Sequence, residues 1–252
     1  MRKVFQQTYQ LLDDGATLGD LEQPTLGLGK AMLAALEHLR SSLAFDQQAF
    51  PDSPVVIGMD EVGRGPLAGP LVAVCIVLPS PPSLPFLRDS KKMNAAEREA
   101  LVPRLTAAAS HLGYGVVQAK EFGGATNLHY LTFKAMQRAL KAAGLPKGCA
   151  LLVDGKFPLP TWKGPQKAVI KGDDTSFRIA AASVLAKVYR DKIMTDACQK
   201  YPRYGFSRNV GYGTAEHLQA LVQHGACPLH RKNFVQRVLS EARELREQQL
   251  LF

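Results

Sequence analysis

Cysteine is scarce in this chain: its four copies, Cys75, Cys149, Cys198 and Cys227, lie far apart with no CxxC pair. That spacing excludes a disulfide framework and a cysteine-based zinc site, and fits a reducing compartment. Long apolar runs are missing too. Nothing approaches the ~18 residues of a membrane span, and the opening MRKVFQQTYQLLDDG starts basic without the apolar stretch of a secretory signal. No repeat or low-complexity tract is present. These absences point to a cytoplasmic protein with no membrane partner. Acidic side chains are also in deficit, 22 against 31 Lys and Arg, which leaves a formal charge of +9. A polyanionic partner is the natural complement of such a surface, although charge alone decides nothing.

What is present is a folding chain. With 252 residues, 46% hydrophobic, it can bury a sizeable core, so disorder and fibrous folds are excluded. The charge is uneven. Residues 1–50 carry four basic and six acidic side chains, which leaves 27 against 16, a formal +11, for the remainder. Any polyanion site therefore belongs there.

Residues 1–50 read as two helical segments around a Gly/Pro break, a helical N-terminal extension to a domain spanning 51–252. From Val55 strands and helices interleave. Val55–Met59, Leu71–Leu78, Gly113–Ala119, Ala150–Val153 and Ala168–Ile170 have strand character, and Leu128–Ala143 has helical spacing. Phe177–Lys200 reads as a long helix that Asp173, Asp174 or Thr175 could cap, and helices close the chain from about residue 214. The alternation favours a mixed α/β fold with one sheet.

The densest chemical signal is GMDEVGRGPLAGP, Gly58–Pro70, in which an apolar strand runs into Asp60 and Glu61 and then a Gly-Arg-Gly turn. Read blandly, these are strand-end surface charges and a hairpin. Asp154 and Asp173 change the weighing, because three strand-like runs then each end in an acid, where α/β sheets gather functional groups. Four oxygen ligands without His or Cys suit Mg²⁺ or Mn²⁺, and two such ions could support phosphodiester hydrolysis. One difficulty stands: neighbours in a regular strand face opposite ways, so Asp60 and Glu61 can converge only if the strand ends or bulges at Glu61.

Gly58–Pro70 resembles the opening signature of the type 2 ribonucleases H, the bacterial ribonuclease HII family. DSKK at Asp89–Lys92, the strand ending in Asp154-Gly155, KGDDTSFRIAAASVLAKVYRD at 171–191 and YPRYGFSRNVGYGT at 201–214 agree in the same order, so the resemblance runs from about residue 55 to 235. It implies a ribonuclease H-like fold, a central mixed β-sheet flanked by helices, with a helical C-terminal region. It implies an endonuclease that cuts the RNA strand of RNA/DNA hybrids and cleaves 5′ of ribonucleotides embedded in duplex DNA, leaving 5′-phosphates.

By the same resemblance Asp60, Glu61, Asp154 and Asp173 are the catalytic metal ligands, for Mg²⁺ or Mn²⁺, with two ions in the active complex. Asp173 is preferred to Asp174 because it directly follows Lys-Gly, which leaves Asp174 as a helix cap; Asp191 reads as an ion-pairing residue. Gly63, Arg64 and Gly65 are expected to clasp the ribonucleotide, and Tyr212 to pack on the sugar, although an aromatic filling a Gly-rich turn is the plainer reading of Tyr212. Ser90, Lys91 and Lys92, then Ser183 and Lys187, are expected to meet backbone phosphates, with a solvated helix face as the alternative for Lys187.

Four positions depart from the family pattern: Asn209-Val210 stands where many relatives have His-Lys, Asn233 where Ser is usual and Met93 where Leu is usual. They bear on affinity and salt dependence. His217, His224 and His230 show no metal spacing. Beyond the resemblance, Gln248, Leu251 and Phe252 are spaced like peptides that dock on bacterial sliding clamps, although a last helical turn packing on the body accounts for them as well. A monomer is expected. The competing readings are a hybrid-binding module without catalysis, which predicts a missing carboxylate, and an enzyme acting on small nucleotides, which has no need of a +11 body.

Overall fold

The computed structural model describes residues 2–22, 29–123 and 127–249. The N-terminal extension supplies α1 (Arg2–Asp13) and α2 (Gly29–Ala49). Five strands follow, β1 (Val56–Val62), β2 (Leu71–Val77), β3 (His111–Val117), β4 (Ala150–Asp154) and β5 (Gln166–Val169), interleaved with α3 (Ala95–Ala108) and α4 (Leu128–Ala143). The one-turn α5 (Gly172–Thr175), the long α6 (Phe177–Lys200), the one-turn α7 (Phe206–Asn209), α8 (Ala215–His224) and α9 (Lys232–Gln249) complete the chain.

The sheet order is β3-β2-β1-β4-β5. β1, β2 and β3 pair antiparallel, whereas β1, β4 and β5 run parallel, so the sheet is mixed as expected. The period-2 pleat of β2 sorts its side chains: Val72, Val74 and Ile76 join the core with α6, while Leu71, Ala73, Cys75 and Val77 join the core with α4. β1 obeys the same alternation, with Ile57 and Met59 on the α4 side. Gly58 faces α6, and the approach is so close that a β-carbon there would collide with the backbone of Arg178. Only glycine permits that contact.

Phe5 and Tyr9 of α1, then Met32, Leu36 and Leu39 of α2, lie in the same core as Val72, Val74 and Phe177. The extension thus shares the body's core. Among the described residues, no helix is long and apolar enough to cross a membrane.

Several boundaries differ from the sequence expectation. β1 does not stop at Met59 but pairs with β2 as far as Val62, and β3 starts at His111 rather than Gly113. The cap of α6 is Ser176, whose hydroxyl accepts from the Ile179 N–H at 3.2 Å. Asp173, Asp174 and Thr175 lie one residue or more too early, because they form the separate turn α5.

Candidate active site

The parallel pairing of β1 with β4 ends at Met59 opposite Val153. One residue further on, the two neighbouring strands present Asp60 and Asp154, which leave the sheet on the α6 side. Asp154 accepts from the Gly172 N–H at 2.7 Å, which ties α5, and with it the buried Asp173, to the same sheet end. The fourth carboxylate arrives differently. β1 stays regular through Glu61, paired with Ala73, so the expected strand end or bulge does not occur and Glu61 starts from the opposite face to Asp60. The two charges still act on each other.

Electrostatics show this coupling. Burial, and then the charges of Glu61 and Asp154, hold the Asp60 carboxyl well above the usual carboxylate range, against hydrogen bonds from the Ser183 hydroxyl and the Glu61 N–H. Burial likewise raises Glu61, as does the charge of Asp154, while Arg64 and Lys91 oppose the shift. Asp173 is raised by burial first, with Lys91 pulling the other way. Buried Asp60 and Asp173, repelled by the charge of the partly buried Asp154, are a cation-demanding arrangement.

Protein cations already answer part of that demand. Lys91 Nζ stands 3.1 Å from Asp173 Oδ2, Lys92 Nζ 2.8 Å from Asp174 Oδ1 and Arg64 Nη1 3.4 Å from Glu61 Oε1. Asp174 is therefore an ion-pair partner and not a helix cap. Lys187 reaches Asp191 at 2.8 Å, the ion-pairing role expected of that aspartate.

Ser90 and Ser183 pair with each other. Both are buried, with their hydroxyls 3.0 Å apart, and Ser183 also bonds to Asp60. They stand behind the Asp60 carboxylate.

The Gly-Arg-Gly turn is built on two buried arginines from distant parts of the chain. Arg231 is fully buried and donates to the carbonyls of Gly69 (3.0 Å), Arg64 (3.0 Å) and Gly63 (2.6 Å). Arg190, equally buried, donates to the carbonyls of Pro70, Val210 and Ala68. Burial pushes both guanidinium groups down, Arg231 to about 9. Carbonyl and N–H point opposite ways across a trans peptide, and no cis peptide occurs among the described residues. With the Gly63 and Arg64 carbonyls turned inward on Arg231, the N–H groups of Arg64 and Gly65 face outward, a backbone pair suited to an anion or hydroxyl. Gly63 is required there, at φ 90° with the Arg190 side chain where a β-carbon would sit.

Tyr212 is partly exposed, 42%, with Arg190 beneath its ring at 5.9 Å. Its carbonyl lies 2.8 Å from Nδ1 of the buried His217, whose Nε2 meets Nε2 of His230 at 3.0 Å. These histidines are structural. Asn209 is buried as well: its amide donates to Tyr204 O and its side-chain oxygen accepts from Gly211 N. Asn209 thus organises the turn.

The donor set fits magnesium or manganese in kind, being all carboxylate oxygen. Among the described residues, no three His, Cys, Asp or Glu side chains are drawn together closely enough to enclose one ion. That arrangement still suits Mg²⁺, which takes one or two protein carboxylates and completes its shell with waters and substrate phosphates.

A mixed five-stranded sheet in this order, with acids at the end of β1 and β4 and on α5, defines a ribonuclease H-type nuclease. The profile of the family Ribonuclease HII matches residues 57–238. A ribonuclease HII of Syntrophobacter fumaroxidans is 45% identical over 193 residues, 76% of this chain and 82% of that protein. The chain belongs to the ribonuclease HII family and is an endonuclease hydrolase.

Solved structures agree on the fold. Ribonuclease H2 of Pyrococcus horikoshii superposes with a TM-score of 0.62 at 24% identity, covering 75% of this chain and 99% of that one. The PCNA:RNase HII complex of Archaeoglobus fulgidus gives 0.58 at 21% identity, covering 70% and 93%. Bst-RNase HIII in complex with Mn²⁺ gives 0.59 at 16%, covering 79% and 73%.

Proposed function

We propose that this endonuclease is divalent-metal-dependent, hydrolyses the RNA strand of RNA/DNA hybrids and cleaves 5′ of ribonucleotides embedded in duplex DNA, leaving 3′-hydroxyl and 5′-phosphate ends. The observation that supports the reading is the electrostatic coupling of Asp60 to Glu61 and Asp154, with Asp173 tied to the same sheet end through the Asp154–Gly172 bond. Asp60, Glu61, Asp154 and Asp173 would hold Mg²⁺ or Mn²⁺; the manganese complex of a structural neighbour supports the choice. Bound there, the ions supply an activated water and stabilise the leaving oxygen.

The chain's own residues do the rest. The N–H groups of Arg64 and Gly65 receive the 2′-hydroxyl and adjacent phosphate, the chemistry that separates RNA from DNA. Tyr212 packs on the sugar. Lys91, Lys92 and Lys187 exchange Asp173, Asp174 and Asp191 for backbone phosphates. Ser183 steadies Asp60 through its hydroxyl, with Ser90 behind it.

One assay tests this reading. The purified protein is given all-DNA, single-ribonucleotide and full-hybrid duplexes with Mg²⁺, Mn²⁺ or a chelator, and the cut is mapped. Cleavage that survives the chelator, or all-DNA cut as fast as hybrid, overturns it. The family and the activity support a cytoplasmic monomer acting in replication and repair.

A sliding clamp is the proposed protein partner, supported by a neighbour bound to PCNA. Gln248 lies on α9, whereas Leu251 and Phe252 lie outside the described residues. Unchanged clamp binding after removal of the last five residues would end that idea.

A further inference from the structure

Asp46 lies on α2, outside the residues matched by the family profile, and is fully buried. One carboxylate oxygen accepts from the Ser176 hydroxyl at 2.5 Å; the other accepts from the Arg178 N–H at 3.0 Å and from Arg178 Nη1 at 3.1 Å. All three donors come from the three-residue corner that joins α5 to α6. A buried carboxylate is tolerated only with such compensation, so the helix and the corner are fixed to each other.

The corner borders the carboxylate site on two sides. Asp173 sits three residues upstream of Ser176, on a single turn that cannot hold itself. The turn is also entered through Lys171 in the left-handed region at φ 55°, a conformation that costs about 1 kcal/mol or more for a side-chain-bearing residue. Outside support is therefore needed. Asp154 gives it at Gly172, and Asp46 gives it through Ser176, whose N–H closes the turn on Gly172 O at 2.8 Å. On the other side Arg178 packs its backbone on Gly58, two residues before Asp60.

We propose that Asp46 is a positioning residue for the active site: by anchoring the Ser176–Arg178 corner it sets Asp173 against Asp60, and so makes the N-terminal helical extension a working part of the nuclease. The proposal rests on the reading that Asp60, Glu61, Asp154 and Asp173 hold divalent cations.

The test uses the full chain with Asp46→Asn, which keeps the shape and removes the charge. Mn²⁺ binding without nucleic acid is followed by electron paramagnetic resonance, and kcat and KM are measured on a single-ribonucleotide duplex. The expected result is Mn²⁺ affinity and kcat each about 10-fold lower, as for removal of a group that orients a ligand, with KM for the duplex within about two-fold. Asp13→Asn cuts the Asp13–Arg104 ion pair elsewhere in the extension and should leave all three unchanged.

Wild-type Mn²⁺ binding and kcat in Asp46→Asn overturn the proposal, and so does an equal loss in Asp13→Asn, which would mean general loosening. Asp173→Asn run in parallel separates the two readings. If it keeps wild-type Mn²⁺ affinity, the cation reading itself has failed; if it loses affinity while Asp46→Asn does not, only the positioning role has failed. Should Asp46→Asn not fold, Ser176→Ala removes the same link from the other end and is judged by the same values.

Discussion

The guanidinium of Arg231 donates to the carbonyl oxygen of Gly63 at 2.6 Å, so a buried cation turns the first peptide of the Gly-Arg-Gly turn. Its neighbouring nitrogens hold Arg64 and Gly69 at the same time. Lysine offers a point charge in place of a fork and cannot meet three carbonyls in these directions. We predict that Arg231→Lys lowers kcat/KM on a single-ribonucleotide duplex by about 10-fold or more, the cost of one lost charge-assisted hydrogen bond. Arg231→Met leaves three buried carbonyls unpaired and should cost about 3 kcal/mol or more in urea unfolding. Wild-type kinetics in the lysine variant would show that the loop holds its peptides without help.

Asp60 is the carboxylate most strongly disfavoured as an anion in the fold. Its raised pKa means that the folded state suffers from the charge at neutral pH and is relieved as the pH falls towards the ordinary aspartate value. Asp60→Asn should therefore abolish cleavage, by roughly 10³-fold or more, while raising the melting temperature in metal-free buffer. Loss of activity together with a lower melting temperature would contradict the electrostatic picture, and cleavage at the wild-type rate would remove Asp60 from the centre.

The sequence made the sheet readable because β2 and β4 are apolar and bounded by turns, and pointed to the acids because apolar runs lead into Asp60, into Asp154 and, across Lys171-Gly172, into Asp173. It could not show what lies behind the site. The burial of Ser90 and Ser183 depends on α6 crossing the sheet, a tertiary fact that hydroxyls beside lysines do not announce. Arg190 and Arg231 find all but one of their carbonyl partners at sequence separations above one hundred, Val210 being the nearer one. The regular β1 was missed for a simpler reason: antiparallel pairing with β2 carries the strand past the point where pairing with β4 stops.

The His217–His230 pair makes stability depend on acid. Burial lowers both imidazoles, His230 to about 4, with the neighbouring His217 adding to its shift. His230 Nδ1 accepts from the Cys227 N–H, so its Nε2 carries the proton given to His217, and His217 Nδ1 donates to Tyr212 O. A further proton puts two donors face to face. The pair's contribution is complete above about 6.5, declines as the pH falls and is lost through about 4, on the order of 3 kcal/mol in all. Unfolding by urea at pH 7.5, 5.5 and 4.5 should show the decline, and His230→Gln should flatten it. A wild-type profile no steeper than that of the variant would refute the coupling.

Val210 holds φ 42° and ψ 33°, a left-handed conformation that a β-branched side chain adopts only under constraint. The constraint is visible: its N–H bonds to Phe206 O, its carbonyl accepts from Arg190, and Asn209 pins the turn on both sides. The strain belongs to the backbone and not to any contact of the isopropyl group with substrate. Asparagine tolerates this region better, so Val210→Asn should stabilise the protein by about 1 kcal/mol, read as a rise of about 2–4 °C in melting temperature for a chain of this size. Because the Arg190 bond is to the backbone carbonyl, the substitution keeps it, and kcat/KM on the single-ribonucleotide duplex should stay within about two-fold of wild type. A fall in melting temperature would mean that side-chain packing at Val210 outweighs the backbone strain.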